Sequence, residues 1–327
     1  MTSAAKRAGA WLLRRSGALS LHRRLFEKGR AAVLMYHRIN DHDDPFFPAT
    51  PSRIFFEQIE YAARNYRIDP LEEVFNWLEA GAPGRARVAI TIDDGYPDTH
   101  DVVLPFLQRR GIPATLFLAT SPPETGIPLW LDRLRHCIKH ARKKVLSAPE
   151  LGLAGVPLDG LNSRLTVLRR LGRQLKHVPA SMVDEIVERI ERDLDAEVPL
   201  PVVLTWDQLR SMIRGPFSVG GHTHTHHLLS TLDEPQLGHE IQLSLDNIER
   251  ELGSRPTTFA YPNGEAADYD ERAKVHLRSQ GVRCSVTSKS GFARPGHDPL
   301  ELPRVNTGGT SLSLFAGRIA GLGLEVQ

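Results

Sequence analysis

Two stretches of the chain carry residue types that do chemistry. "GGHTHTHHLLS", residues 220–230, packs His222, His224, His226 and His227 into six positions. "VAITIDDG", residues 88–95, ends an apolar run on two consecutive carboxylates, Asp93 and Asp94. His222 and His226 are four apart, and in a helical turn that spacing presents both imidazoles on one side, as a metal site needs. His224 is expected to point elsewhere, and His227 does not share the spacing. Thr223 stands where a zincin of the H-E-x-x-H type has its catalytic Glu, which speaks against that protease class. An acidic residue must complete a three-ligand set, and Asp94 is available. Two imidazoles and one carboxylate leave coordination positions open for water, which marks a catalytic rather than a structural site.

Read alone, Asp-Asp-Gly fits a solvated turn equally well. Consecutive strand residues point to opposite faces, so Asp93 and Asp94 share a pocket only if the chain leaves strand geometry there. Gly95 and Pro97 allow that departure.

The elements that must position these groups alternate along the chain. "AAVLMY" (31–36), "VAITI" (88–92) and "IPATLFLAT" (112–120) read as buried strands. A loop and a helix ending at Gly111 join the second to the third, which predicts adjacent parallel strands with a right-handed crossover. "PFSVGG" (216–221), "TTFAY" (257–261), "VRCSVT" (282–287) and "ELPRVN" (301–306) follow, with a helix over 233–253 between the first two. This pattern predicts an α/β fold, a distorted (β/α) barrel of seven to eight strands. Polar groups close several strands: His37, the Asp93–Asp94 pair, His222 and Tyr261, at the end where such barrels gather reactive groups.

Residues 121–204 break the alternation. "WLDRLRHCIKHARKKVL" and "SMVDEIVERIERDLDAEV" read as charged helices, and the segment as a mainly helical insertion within a barrel domain of residues 31–327. Its charges read as solvated faces, with a substrate-gripping cap as the alternative.

The hydrophobic fraction of 41% and charged fraction of 24% are those of a globular protein, and no run approaches the roughly 18–20 apolar residues of a membrane-spanning helix. Cys137 and Cys284 imply no disulfide framework and read as buried, inert thiols. Residues 1–30 carry Lys6, Arg7, Arg14, Arg15, Arg23, Arg24, Lys28 and Arg30 against Glu27 alone. As a basic amphipathic helix this segment lies on an anionic membrane surface or packs on the domain; both readings stand. It does not read as a signal peptide, so the expected compartment is the cytoplasm, with membrane contact through residues 1–30. No nucleic-acid-binding motif accompanies the charge.

"TIDDG" (91–95), "HTHTH" (222–226) and "FAYPNG" (259–264) resemble the first three motifs of the polysaccharide deacetylase family, also called NodB-homology or carbohydrate esterase 4. The resemblance covers most of residues 31–306. It implies one divalent metal ion, zinc by expectation, bound by Asp94, His222 and His226, with Asp93 as catalytic base. Two departures stand out. "AYPNG" lacks the Arg usual in the third motif, and "LPRVNTGG" lacks the late histidine that supplies the general acid. His37 in "LMYHRI" resembles a branch of the family with its acid histidine near the N-terminus, and Arg304 in "LPR" is placed to replace the missing Arg beside Asp93.

The implied reaction is metal-assisted removal of an N-acetyl group from an amino sugar in a polysaccharide or lipid-linked glycan. Asp93 takes a proton from water, His37 donates one to the departing amine, and a backbone N–H near "YPNG", around Tyr261 and Asn263, helps hold the oxyanion. Thr223 is a candidate support for the ligands. An O-acetyl esterase or small-amide hydrolase on the same site, and a barrel that binds glycan or metal without catalysis, are the alternatives. Phe46, Phe47, Trp130 and Tyr261 read as core or rim rather than sugar subsites.

Overall fold

The computed structural model of the chain describes residue 22 and residues 28–196 and 203–322. The body of the basic N-terminal segment lies outside these residues. Ten strands are present among them: β1 (Ala31–Tyr36), β2 (Arg67–Ile68), β3 (Arg87–Ile92), β4 (Ala114–Leu118), β5 (Val145–Ala148), β6 (Leu153–Pro157), β7 (Phe217–Gly221), β8 (Thr258–Ala260), β9 (Cys284–Ser290) and β10 (Leu302–Asn306).

Seven of them, all parallel, close into a barrel in the order β1-β3-β4-β7-β8-β9-β10, with β10 returning to β1. Two-residue β2 pairs with the start of β3, where β4 has not yet begun to pair. Helices Ser52–Asn65, Leu71–Glu79, Trp206–Ile213, Glu234–Leu252 and Glu271–Ser279 surround the barrel. The fold is therefore the distorted (β/α) barrel that the strand pattern predicts.

Period-two alternation explains the continuous apolar strands. Ala31, Val33, Ala89, Phe117, Ala260 and Val286 form one cluster within the barrel, while Ala32, Leu34, Tyr36, Ile90 and Leu116 join the helices outside. Both faces are buried, so most positions are apolar and the polar ones, such as Thr91 and Thr115, are buried with them. Helix Glu234–Leu252 starts on a capping box between Asp233 and Gln236 and stops at Gly253 in the left-handed conformation (φ 79°), as its sequence signals.

The insertion is less purely helical than expected. Helices Trp130–His140 and Ala180–Leu194 are present, but the "KKVL" tail of the first predicted helix turns into β5, which pairs antiparallel with β6. A further helix, Gly160–Leu175, fills the stretch between them. Val183, Ile186, Val187, Ile190 and Leu194 recur at helical spacing and pack with Leu134, Ile138, Leu146, Val167 and Leu171 around a cluster separate from the barrel's. Phe46 and Trp130 belong to that cluster, in line with their reading as core. Cys137 and Cys284 are both buried and free, and burial pushes the Cys137 thiol up to about 12, far from a reactive thiolate.

Candidate active site

The mouth of the barrel settles how two adjacent aspartates share one pocket. Ala89, Thr91 and Asp93 alternate along β3, so Asp93 points inward above Thr91. Asp94 then leaves strand geometry with φ 75°, followed by Gly95 at φ 88°. A Cβ on Gly95 would stand 2.6 Å from Leu118 Cδ1, so this turn needs glycine for space as well as for its backbone angle. The turn brings the Asp94 carboxylate back over the same cavity.

His222 leaves β7 at the same height, and the loop after it is not helical. Thr223 (φ 62°) and His226 (φ 63°) both adopt the left-handed conformation, so the two imidazoles meet through a kinked loop and not through a helical turn. The expectation from spacing is corrected in its cause, though its consequence holds. Each left-handed non-glycine residue costs on the order of 1–3 kcal/mol, a strain typical of sites whose geometry the surroundings impose. Here the surroundings are identifiable. Thr223 Oγ1 accepts from His226 N at 2.9 Å. Glu240, buried on helix Glu234–Leu252, accepts from His224 N, Thr225 N and Thr225 Oγ1 at 2.9, 2.9 and 2.8 Å. Nothing in the histidine motif marks Glu240 as a partner; sequence reading missed it.

The four histidines divide cleanly. His222 Nε2 and His226 Nε2 stand 3.3 and 3.2 Å from Asp94 Oδ1. His224 Nδ1 meets Thr120 Oγ1 at 2.9 Å, on the other side of the loop. His227 Nε2 reaches across to Asp184 on the insertion at 3.3 Å.

The hydrogen bonding of the donor set fixes which atoms face one another. His222 Nδ1 donates to the Ala260 carbonyl at 2.7 Å, so in the neutral ring Nε2 carries the lone pair. Asp94 Oδ1 is buried and accepts no hydrogen bond. A carboxylate oxygen facing an imidazole lone pair in a buried place repels it unless a positive charge sits between them. The Asp94, His222 and His226 ligand atoms lie within 4.8 Å of one another, the one such cluster among the described residues. These residues fit a divalent cation of the zinc type.

Asp93 is held quite differently. Arg304 Nη1 donates to its Oδ1 at 2.8 Å and Nη2 stands 2.8 Å from its Oδ2 as an ion pair, so both carboxylate oxygens face one guanidinium and both side chains are almost wholly buried. Arg304 is itself fixed by Nε donating to the Thr287 carbonyl at 2.8 Å. Burial pushes the Asp93 carboxyl up, but the Arg304 guanidinium, with the His37 and His222 imidazoles, outweighs burial and leaves it below the usual carboxylate range. β1 and β3 run in register from Ala31↔Arg87 to Tyr36↔Ile92, so one further step sets His37 beside Asp93. His37 Nε2 lies 3.7 Å from Asp93 Oδ2, with its side chain about half exposed at the cavity mouth.

The third motif contributes less than its residue types suggest. The Tyr261 hydroxyl donates to the Leu300 carbonyl at 2.9 Å, and its ring stacks on Tyr269 at 3.9 Å. Tyr261 is thus tied into the layer between barrel and helices. Its N–H donates to the Val286 carbonyl at 3.3 Å, and Gly264 N–H to the Pro262 carbonyl at 2.7 Å. Asn263, left-handed at φ 56° and lining the cavity, has an N–H that meets no acceptor among the described residues.

With this geometry in view, the chain was compared with known proteins. A family profile described as polysaccharide deacetylase matches residues 80–285, more than half of the 327 residues. The chain belongs to the polysaccharide deacetylase family. The family is one of hydrolases acting on carbon–nitrogen bonds, with acetylated glycans as substrates. Among solved structures, the chain is similar to the Streptococcus pyogenes deacetylase PplD in complex with acetate, at 18% identity and TM-score 0.61, covering 89% of this chain and 98% of that one. It is similar also to IcaB from Ammonifex degensii, at 18% identity and TM-score 0.58, covering 90% and 99%. BC0361, a polysaccharide deacetylase from Bacillus cereus, aligns at 17% identity and TM-score 0.57, covering 90% and 70%. At these identities the likeness shows the fold. A comparison with curated proteins finds no match. His37 on β1 and Arg304 on β10 lie outside the segment the profile matches; closure of the barrel carries both to Asp93 in this deacetylase-family chain.

Proposed function

We propose that this chain is a metal-dependent deacetylase that removes N-acetyl groups from an amino sugar in a polysaccharide or lipid-linked glycan. The observation that carries the reading is the juxtaposition of two unlike triads at one cavity. Asp94, His222 and His226 offer three converging donor atoms, and Asp93, paired with Arg304 and flanked by His37, stands beside them as an acid–base set. A divalent cation held by the first triad would polarise the acetyl carbonyl and make water acidic enough to attack it.

Asp93 takes the proton of the attacking water. Both its oxygens are fixed by Arg304, and each keeps a further lone pair for that proton. The cost of lowering its basicity is offset by its being ionised and correctly aimed at neutral pH. His37, on the exposed side of Asp93, gives a proton to the departing nitrogen, without which an amide anion would have to leave. Asn263 N–H is the donor assigned to the oxyanion. Leu129 and Leu131 from the insertion and Met35 from β1 supply the apolar part of a cavity wall that is otherwise polar.

The test is metal content and acetate release in parallel. The parent protein should hold one divalent ion per chain and release acetate from N-acetylglucosamine oligomers. His222→Ala and Asp94→Ala should lose both. An ion that survives in both variants would sink the three-ligand site. Among the described residues no helix is long and apolar enough to cross a membrane.

A further inference from the structure

The insertion does more than wall off the reacting centre. The catalytic cavity, about 190 Å³, opens into a groove of about 440 Å³, and the two share His37, Asp94, Tyr96 and Arg135. Arg135 comes from helix Trp130–His140 of the insertion, so an insertion guanidinium stands where the acetyl site meets the rest of the substrate.

Its own bonding leaves much of it uncommitted. Arg135 Nη1 donates to Asp132 Oδ1 at 2.9 Å, while the other oxygen of buried Asp132 faces Arg38 Nη2 at 3.0 Å. Two guanidiniums thus share one carboxylate. Arg38 lies 3.5 Å over the Tyr96 ring, and its Nε is buried with no acceptor among the described residues. Asp98, also near Arg38, has its Oδ2 turned to Ile39 N and Asn40 Nδ2 at 3.0 and 2.8 Å, and its Oδ1 is buried without forming a hydrogen bond to Arg38. Among the described residues Asp94 is the only carboxylate that lines the groove, at its catalytic end and within the metal triad. Beyond Arg38 a further cavity holds Lys139, but Asp44 takes that ammonium at 2.6 Å. The open cationic donors of the groove are therefore those of Arg135, with the largely buried Arg38 behind it.

A planar guanidinium with free N–H groups in a part-buried groove matches the two oxygens of a carboxylate or phosphate far better than a hydroxyl. We propose that Arg135, backed by Arg38, forms a subsite for an anionic group, carboxylate or phosphate, on the glycan beside the acetylated sugar. This rests on the reading of the site as a glycan deacetylase, and it makes the insertion the part of the molecule that selects the substrate.

The experiment measures binding by titration calorimetry on zinc-loaded Asp93→Asn protein, so that turnover does not intervene. The probes are a neutral N-acetylglucosamine tetramer, the same tetramer carrying a phosphate, and one carrying a neighbouring glucuronate. An anionic probe should bind roughly ten- to a hundredfold more tightly than the neutral one, the size of effect expected for hydrogen bonds to a charged group. Arg135→Ala should erase that preference and Arg135→Lys should keep part of it, with thermal melting confirming that each variant folds. Which of phosphate and glucuronate gains more tells the two sources of charge apart. Equal binding of all three probes overturns the subsite. So does a preference that survives in Arg135→Ala, because the anion is then held by the metal. Acetate release from each of the three probes by the parent protein is scored separately: its absence from all of them counts against the deacetylase reading, whereas the binding preference bears on the subsite alone.

Discussion

Asp93 and Asp94 are neighbours in the chain, both buried, and physically opposite. Asp93 stays in strand register, points into the barrel, and has both oxygens filled by one guanidinium. Asp94 turns left-handed, and its Oδ1 is left without a donor between two imidazoles. The first is a charge compensated by a guanidinium; the second faces two imidazoles and is the carboxylate we assign to the proposed metal site. Residue type therefore decides little here. A buried ion pair is weak evidence for stability, since the desolvation of two charges offsets much of their attraction. The placement of Arg304 and Asp93 at the barrel mouth is better explained by the base role proposed for Asp93.

Substitutions that exchange these roles test the contrast. Asp93→Asn should cost the most, a loss of turnover on the order of a thousandfold or more for removal of a general base, with one metal ion still bound per chain by mass spectrometry under native conditions. Metal lost from that variant would overturn the division of labour. His37→Ala comes next. Hydrolysis of an N-acetyl sugar should fall by about 10²–10⁴, whereas an activated acetyl ester, whose leaving group needs no proton, should lose far less. Equal losses on the two substrates would remove His37 from the acid role. The smallest effect is expected from Glu240→Gln, which touches neither triad. It removes the negative charge on which His224 and Thr225 are hung, and weakens metal affinity by about ten- to a hundredfold, as outer-shell changes do. Zinc titration against a chelating dye reads that number, and an unchanged affinity would show that the loop holds its shape without Glu240.

Much of this arrangement is legible in the sequence because parallel strands advertise themselves. Six apolar residues followed by His37, and five followed by Asp93, read as strand ends from residue types alone. The partnership of His222 and His226 is legible too, but for a mistaken reason: two residues in a sparsely populated backbone region take the place of a helical turn, and spacing carries no sign of that. Arg304 could be guessed from an absence elsewhere in the chain. Glu240 could not, since one acidic position among many on a surface helix looks like any other until the loop lies against it. Likewise, the switch from helix to hairpin after His140 is decided by packing within the insertion, where Leu146 and Leu153 have a cluster of their own to fill. Local propensity alone extends the helix.

His37, Asp93 and Arg304 are gathered from the residues that directly follow β1 and β3 and from β10, the first, third and last strands among the described residues. β10 is the strand that joins β9 to β1 and completes the ring, so the ion pair that compensates Asp93 exists only in the closed barrel: one strand supplies both the last edge of the sheet and the counterion at its mouth.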